Sequence, residues 1–242
     1  MAKKSNFYKL LCGIILAVGL AAVQPGGGRL SASVLRTLVI DPGHGGRDTG
    51  ATGPAGTLEK DICLKLATML AQDLTPAYKV ILTRSADYSI DNLQRTAVAN
   101  HEKADLFLSL HAGAAFSRAA KGMTVYTYQP ADKDESTRPP DGDGRPIPWR
   151  QLQLVHLSQS RSLAGAIRQA LESLDQAGTF QVRQGPLTVL MGADMTAVLL
   201  EIGQLSNPET EKALASDDQL RSYARALAGA IDSYFAAKRA AE

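Results

Sequence analysis

The sequence predicts an α/β protein in which a largely parallel sheet is covered by helices on both faces. Two observations carry this prediction. Short β-branched, apolar runs alternate along the chain with stretches of helical period, the pattern of strands buried between crossover helices. The 242 residues are 45% apolar and 21% charged, enough for one sizeable core and ordinary for a globular protein. The same composition gives no support to a disordered, collagen-like or disulfide-scaffold chain.

The elements follow in order. Val34 to Asp41, VLRTLVID, reads as a buried strand entering a Pro-Gly loop. Glu59 to Leu74 puts Ile62, Leu66, Met69 and Leu70 on one helical face. YKVILT is a second strand, Asp91 to Lys103 a helix opened by an Asp cap, and DLFLSLH and MTVYTY are two more strands. A helix from about Ser158 to Leu174, the strands PLTVLM and AVLLEI, and closing helices from near Pro208 and Asp217 complete the series. Between Gln129 and Leu157 the alternation breaks in a stretch that holds five of the eleven prolines and the single tryptophan, Trp149. It is expected to be a long surface loop or an insertion, a lid being the alternative.

The first 32 residues carry Lys3, Lys4, Lys9 and Arg29 and no acid. Leu10 to Val23 is an apolar run of 14 residues, shorter than the roughly 20 that span a bilayer and matching a secretory h-region. Residues 1–32 are therefore expected to be a signal peptide, cut after Ala22 or Ala32, that exports a domain of residues 33–242 to the periplasm or cell envelope. A retained signal anchor is the alternative. Cys12 lies inside the apolar run rather than after small residues at its end, unlike a lipoprotein cysteine. Without the leader, 22 cations face 24 anions, and nothing favours a nucleic-acid partner. Cys63 would be the only thiol left, without a disulfide partner, and is expected to be a small buried apolar residue.

Only four histidines exist, so their placement is informative. His44 follows the first strand in DPGHGG, and His111 ends the third in LFLSLH. Functional groups of open α/β sheets gather at the carboxyl ends of strands, and Glu201, ending AVLLE, would reach the same edge. His101 and His156 have no such placement. Two imidazoles and carboxylates at one edge suit Zn²⁺, whose catalytic sites use three protein ligands. Glu59 is a carboxylate candidate, with stabilisation of a helix N-terminus as its other reading. The glycine-rich loop fails as a nucleotide cradle: a dinucleotide fingerprint meets Asp48 where glycine is needed, and a P-loop meets Ala51 where lysine is needed. No GxSxG elbow is present.

VIDPGHGGRDTGATGPAGTLEKD, LTRSADYSIDNLQRTAVANHEKADLFLSLHAGA and AVLLEIGQLSNPETEKAL together resemble the zinc-dependent N-acetylmuramoyl-L-alanine amidases that include the bacterial cell-separation enzymes. The resemblance runs from Leu35 to the carboxyl terminus. It implies a twisted mixed sheet flanked by helices, with Zn²⁺ held by His44, Glu59 and His111 and with Glu201 as the catalytic carboxylate. Departures from the family pattern are Gln204 in place of Phe, Thr196 in place of Pro, Gly113 in place of Asn, and FQVRQGPL where an Asp-Arg-Gly-Val stretch is common.

The expected activity is hydrolysis of the bond between N-acetylmuramic acid and L-alanine in peptidoglycan, releasing stem peptides in wall turnover or cell separation. A zinc peptidase acting on wall peptides and an inactive peptidoglycan-binding module are the alternatives. Peptidoglycan is the expected partner, with room for an activator protein and no membrane contact after cleavage. Arg95 is expected to order a helix or loop, and Asp41, Asp48 and Asn207 to orient the histidines or form turns.

Overall fold

The computed structural model describes residues 35–131, 146–174 and 179–241. The expected signal peptide and much of the 129–157 segment lie outside the described residues.

The described residues form a six-stranded sheet. In chain order the strands are β1 (Thr37–Pro42), β2 (Lys79–Leu82), β3 (Leu106–Gly113), β4 (Met123–Tyr128), β5 (Phe180–Gly185) and β6 (Thr196–Gln204). Across the sheet they lie in the order β2-β1-β3-β6-β4-β5. The first four are mutually parallel, β4 runs antiparallel to β6, and β5 is parallel to β4 at the edge. The sheet is thus mixed and mostly parallel.

The helices are α1 (Glu59–Leu74), α2 (Asn92–His101), α3 (Leu152–Val155), α4 (Leu157–Glu172), α5 (Pro208–Leu214) and α6 (Asp217–Ala241). Asp91 caps α2 in a reciprocal capping box with Gln94. Asn207 caps α5, accepting from the Glu209 and Thr210 amides.

Strand side chains alternate between faces, so each central strand feeds two cores. Leu38 and Ile40 of β1, Leu106, Leu108 and Leu110 of β3, and Val198 and Leu200 of β6 pack under α1, α4 and α6. Ile62, Leu66 and Leu70 of α1 enter this layer, Met69 packs at its border, and Leu227, Ile231 and Phe235 of α6 close it. Each such side chain contributes about 1.5–3 kcal/mol on burial. On the opposite face Val39, Phe107, Ala197 and Leu199 are covered by Ala99 of α2, Leu154 of α3 and the buried Val189, Leu190 and Met195. Cys63 is fully buried on α1, as expected of a small apolar residue.

Two expectations change. PLTVLM is not a strand: residues 188–192 form turns, closed by bonds such as Leu190 N to Leu187 O at 3.0 Å. Its apolar side chains are buried by folding over the second core rather than by entering the sheet. The strand there is FQVRQG, a polar edge strand whose exposed pattern carries little hydrophobic signal. The end of the 129–157 segment is ordered as well. A 3-10 turn at Trp149–Gln151 leads into α3, where the buried Gln153 side chain donates to Ala193 O and Met195 O. Among the described residues no helix is long and apolar enough to cross a membrane.

Candidate metal centre

Strand register assembles the site. In β3 and β6 the residues that follow the Leu-rich face in alternation are Ser109, His111 and Glu201, and His111 is the direct cross-strand partner of Glu201. Asp41 of β1 pairs with Ser109 on the same face. The β3–β6 register slips between His111 and Gly113, a bulge at the point where β3 leaves the site. His44 follows β1 by two residues, and Glu59 is the first residue of α1.

These segments bring His44, Glu59 and His111 together. Glu59 Oε1 lies 3.0 Å from His44 Nε2 and 2.9 Å from His111 Nδ1. The imidazoles meet edge to face, 4.9 Å between centroids at 81°. The remaining nitrogen of His44, Nδ1, lies 2.8 Å from Asp48 Oδ2, which fixes the ring and leaves Nε2 facing the centre. Glu59 is itself held by two amides, Ala112 to Oε1 at 2.9 Å and Ala51 to Oε2 at 2.8 Å. The three donor atoms lie within 4.8 Å of one another and could hold a metal ion.

The charges agree with that geometry. Burial alone would raise the Glu59 carboxyl, but bonds from His111, His44 and the Ala51 amide hold it well below the usual carboxylate range. Burial opposes protonation of His44, yet Glu59 and Asp48 together raise it. A carboxylate that stays ionised between two imidazoles is a suitable donor set for a divalent cation.

The loop that carries His44 is built around two buried arginines. His44 adopts φ +61°, a left-handed conformation costing about 1–2 kcal/mol for a residue with a Cβ. Arg95 donates to Asp41 Oδ1 at 2.8 Å, Pro42 O at 2.7 Å and His44 O at 2.9 Å. Arg84, fully buried, donates to Pro42 O, Gly43 O, Lys60 O and Ala86 O. Arg95 thus orders the loop as expected, whereas the sequence reading passed over Arg84. Its one signal was a cation directly after the strand segment VILT. Glu211 of α5 was also missed; it fastens the loop before α1 by accepting from Ala55 N at 2.8 Å and Thr57 N at 3.0 Å. Gly43 lacks a side chain for a steric reason: a Cβ there would lie 2.4 Å from the His111 ring.

Glu201 lies beside this group, at a pocket of 220 Å³ that β4, β5 and the loop after β3 also line. Burial raises its pKa, partly offset by the nearby His111, and Tyr126 Oη stands 3.5 Å from Oε2.

A family model described as N-acetylmuramoyl-L-alanine amidase, Amidase_3, matches residues 38–233. The chain belongs to the Amidase_3 family. The amidase AmiC of Neisseria meningitidis is 32% identical over 230 residues, covering 87% of this chain and 55% of that protein. AmiC of Escherichia coli is 29% identical and aligned over 52% of its own length, so the chain spans about half the length of these curated relatives. Among solved structures, the catalytic domain of CwlV, an N-acetylmuramoyl-L-alanine amidase from Bacillus (Paenibacillus) polymyxa, superposes with a TM-score of 0.68 at 29% identity. That match covers 83% of this chain and 98% of the CwlV domain.

Two of the departures from the Amidase_3 pattern meet in space. Gly113 and Gln204 are register partners, and a Cβ on Gly113 would lie 2.8 Å from Gln204 Nε2 and 2.9 Å from Glu201 Oε2. Gln204 therefore occupies room beside Glu201 that a side chain at position 113 would need. Thr196, in place of proline, has its hydroxyl 2.9 Å from Tyr234 Oη.

The other sequence candidates separate. Asp41 is buried among Thr83, Ser109 and Arg95 and supports the loop rather than a histidine. Asp48 orients His44, and Asn207 is a helix cap that also donates to Arg118 O. His101 is exposed, and His156 lies 2.9 Å from Asp194 Oδ1. Trp149 packs against Gly192, before the start of β6, at the opposite end of that strand from Glu201.

Proposed function

We propose that this chain is a zinc-dependent N-acetylmuramoyl-L-alanine amidase of the cell envelope. It hydrolyses the amide between the lactyl group of N-acetylmuramic acid and the L-alanine of peptidoglycan, releasing stem peptides. The carrying observation is the convergence of His44 Nε2, His111 Nδ1 and Glu59 within one small centre, with Glu201 as the cross-strand partner of His111. His44, Glu59 and His111 are the three ligands in this reading. Bound Zn²⁺ supplies a Lewis acid for the scissile carbonyl and lowers the pKa of water from 15.7 toward about 7.

Glu201 does the proton work. Its carboxylate takes a proton from the attacking water and returns it to the departing amine of L-alanine. A pKa raised by burial suits a group that must both accept and give a proton near neutral pH. Tyr126 donates toward Oε2 and holds the carboxylate in place. Asp48, Arg84 and Arg95 keep His44 oriented and need not touch substrate. Residues 1–32 act as the export signal in this reading, and residues 33–242 as the catalytic domain with its variable 129–157 segment.

The test is zinc content and product analysis on purified sacculi. One zinc per chain, chelator-sensitive solubilisation and newly freed L-alanine amino groups are expected. Free amino groups on other residues would mark a peptidase instead, and binding without release would mark an inactive module. Glu201→Gln should keep its zinc and lose turnover by about 10²–10⁴-fold; hydrolysis at the unaltered rate would remove Glu201 from the mechanism. Basal rates of the purified chain also measure how much an activator protein contributes.

A further inference from the structure

We propose that the pocket beside Glu201 is a carboxylate subsite for the stem peptide, with Arg183 as the recognising cation. This rests on the amidase reading and assigns the peptide side of the cleaved bond to one face of the sheet. Alternation along β5 turns Gln181 and Arg183 toward the pocket, as the registers Thr124–Gln181 and Tyr126–Arg183 require. Thr124 is in turn the cross-strand partner of Glu201. Arg183 therefore stands two strands and two residues from Glu201, roughly 12 Å between Cα atoms at normal strand spacing and rise. An extended peptide covers about 3.3–3.6 Å per residue. With the scissile amide at Glu201, a carboxylate one residue beyond L-alanine comes within reach of the long Arg183 side chain.

The chemistry of the lining selects the occupant. Arg183 is exposed on the edge strand; its Nε donates to Gln181 Oε1 at 2.6 Å, which orients the guanidinium, and among the described residues no carboxylate lies within ion-pair distance of it. Lys121, the other cation of the lining, is already paired with Glu209. Among the described residues Glu201 is the only acid that lines the pocket. A guanidinium whose terminal N–H groups have no partner among the described residues matches a carboxylate in two-pronged fashion. The glycan half of the substrate offers hydroxyl and acetamido groups, whereas the peptide half carries carboxylates. At 220 Å³ the pocket is also smaller than the roughly 300–1,000 Å³ of sites for larger ligands, which fits a peptide residue better than a disaccharide.

The experiment compares an L-alanyl-γ-D-glutamyl peptide bearing its free α-carboxylate with the same peptide amidated there. Binding to the zinc-loaded protein is measured by calorimetry. The acid should bind about two- to fivefold more tightly than the amide. Arg183→Gln should erase that preference while leaving zinc content and Tm unchanged, and Arg183→Lys should restore part of it. On muramoyl peptides, Arg183→Gln should raise KM for the acid form and leave kcat nearly constant. Equal binding of both peptides by the unaltered protein, or an equal loss for both in Arg183→Gln, overturns the subsite. The binding readout needs no turnover. A protein that discriminates without hydrolysing keeps the subsite and overturns the amidase reading; one that hydrolyses without discriminating does the reverse.

Discussion

Gly43→Ala tests how closely the loop after β1 is fitted to the candidate metal centre. A methyl group at this position would lie 2.4 Å from His111 Cε1 and 2.7 Å from both ring nitrogens. Carbon atoms reach favourable contact at about 3.5–4.0 Å, so the ring or the loop must retreat by about 1 Å. The Gly43 backbone is not in the left-handed region, so the substitution adds overlap without torsional strain. The displaced atom is His111 Nδ1, which shares Glu59 Oε1 with His44. A shift of about 1 Å in a catalytic group costs about 10²-fold in rate, and overpacking of this kind costs about 1–3 kcal/mol of stability. Gly43→Ala should therefore fold with a lowered denaturant midpoint and, on the zinc-amidase reading, bind zinc at least tenfold more weakly and release wall peptides about a hundredfold more slowly. Gly165→Ala on α4 is the control, because a Cβ there meets nothing within 4 Å. It should stabilise the protein by about 0.5–1 kcal/mol and leave zinc binding alone. Zinc affinity in Gly43→Ala equal to that of the unaltered chain would refute the close fit between loop and ring.

Other outcomes follow from the same contacts. Glu201 has a folded pKa raised above its ordinary 4.5, so the fold is penalised as pH rises through that interval and unpenalised below it. In the metal-free protein, Glu201→Gln should raise Tm at neutral pH and leave it unchanged below about pH 4; a lower Tm at neutral pH would contradict the assignment. Arg84→Lys replaces a fork that serves four carbonyls with a single ammonium of three donors, leaving at least one of those buried bonds unmade. At about 1–3 kcal/mol for a buried group that loses its partner, it should cost about 1–3 kcal/mol in urea unfolding and, on the zinc-amidase reading, weaken zinc binding; an unchanged midpoint would sink the account. Burial pushes the Cys63 thiol well up, so it should resist thiol reagents in the folded protein and react on unfolding.

Much of the site was legible because its members sit where sequence signals are strongest. Buried parallel strands announce themselves by unbroken apolar runs, and a histidine at the end of such a run stands out, as His111 does after LFLSL. His44 was visible in a glycine-rich loop that fitted no nucleotide template. Glu59 was ambiguous because an acid in the first turn of a helix needs no ligand role; the structure places it 2.9 and 3.0 Å from two imidazoles, which stabilisation of a helix end does not require. Arg84 and Glu211 were not legible, since each acts on backbone atoms of a distant segment and nothing local marks such a partner. The exchange of PLTVLM for FQVRQG has a similar cause. Apolarity reports burial, and burial was achieved by turns over the second core, while the edge strand was held by backbone bonds that any residue can make.

The pairing of His111 with Glu201 also ties chemistry to folding. Side chains alternate along a strand, so a slip of one residue between β3 and β6 would send Glu201 through the sheet to the face of Leu200, under the helices. The reactive arrangement consequently has no partial form: strands drawn from residue 106 to residue 204 must first close in one register. Contacts so distant along the chain are assembled slowly. On the amidase reading, a newly made or unfolded chain is therefore inert toward a cell wall, and the hazard of carrying such a hydrolase is deferred until the sheet is complete.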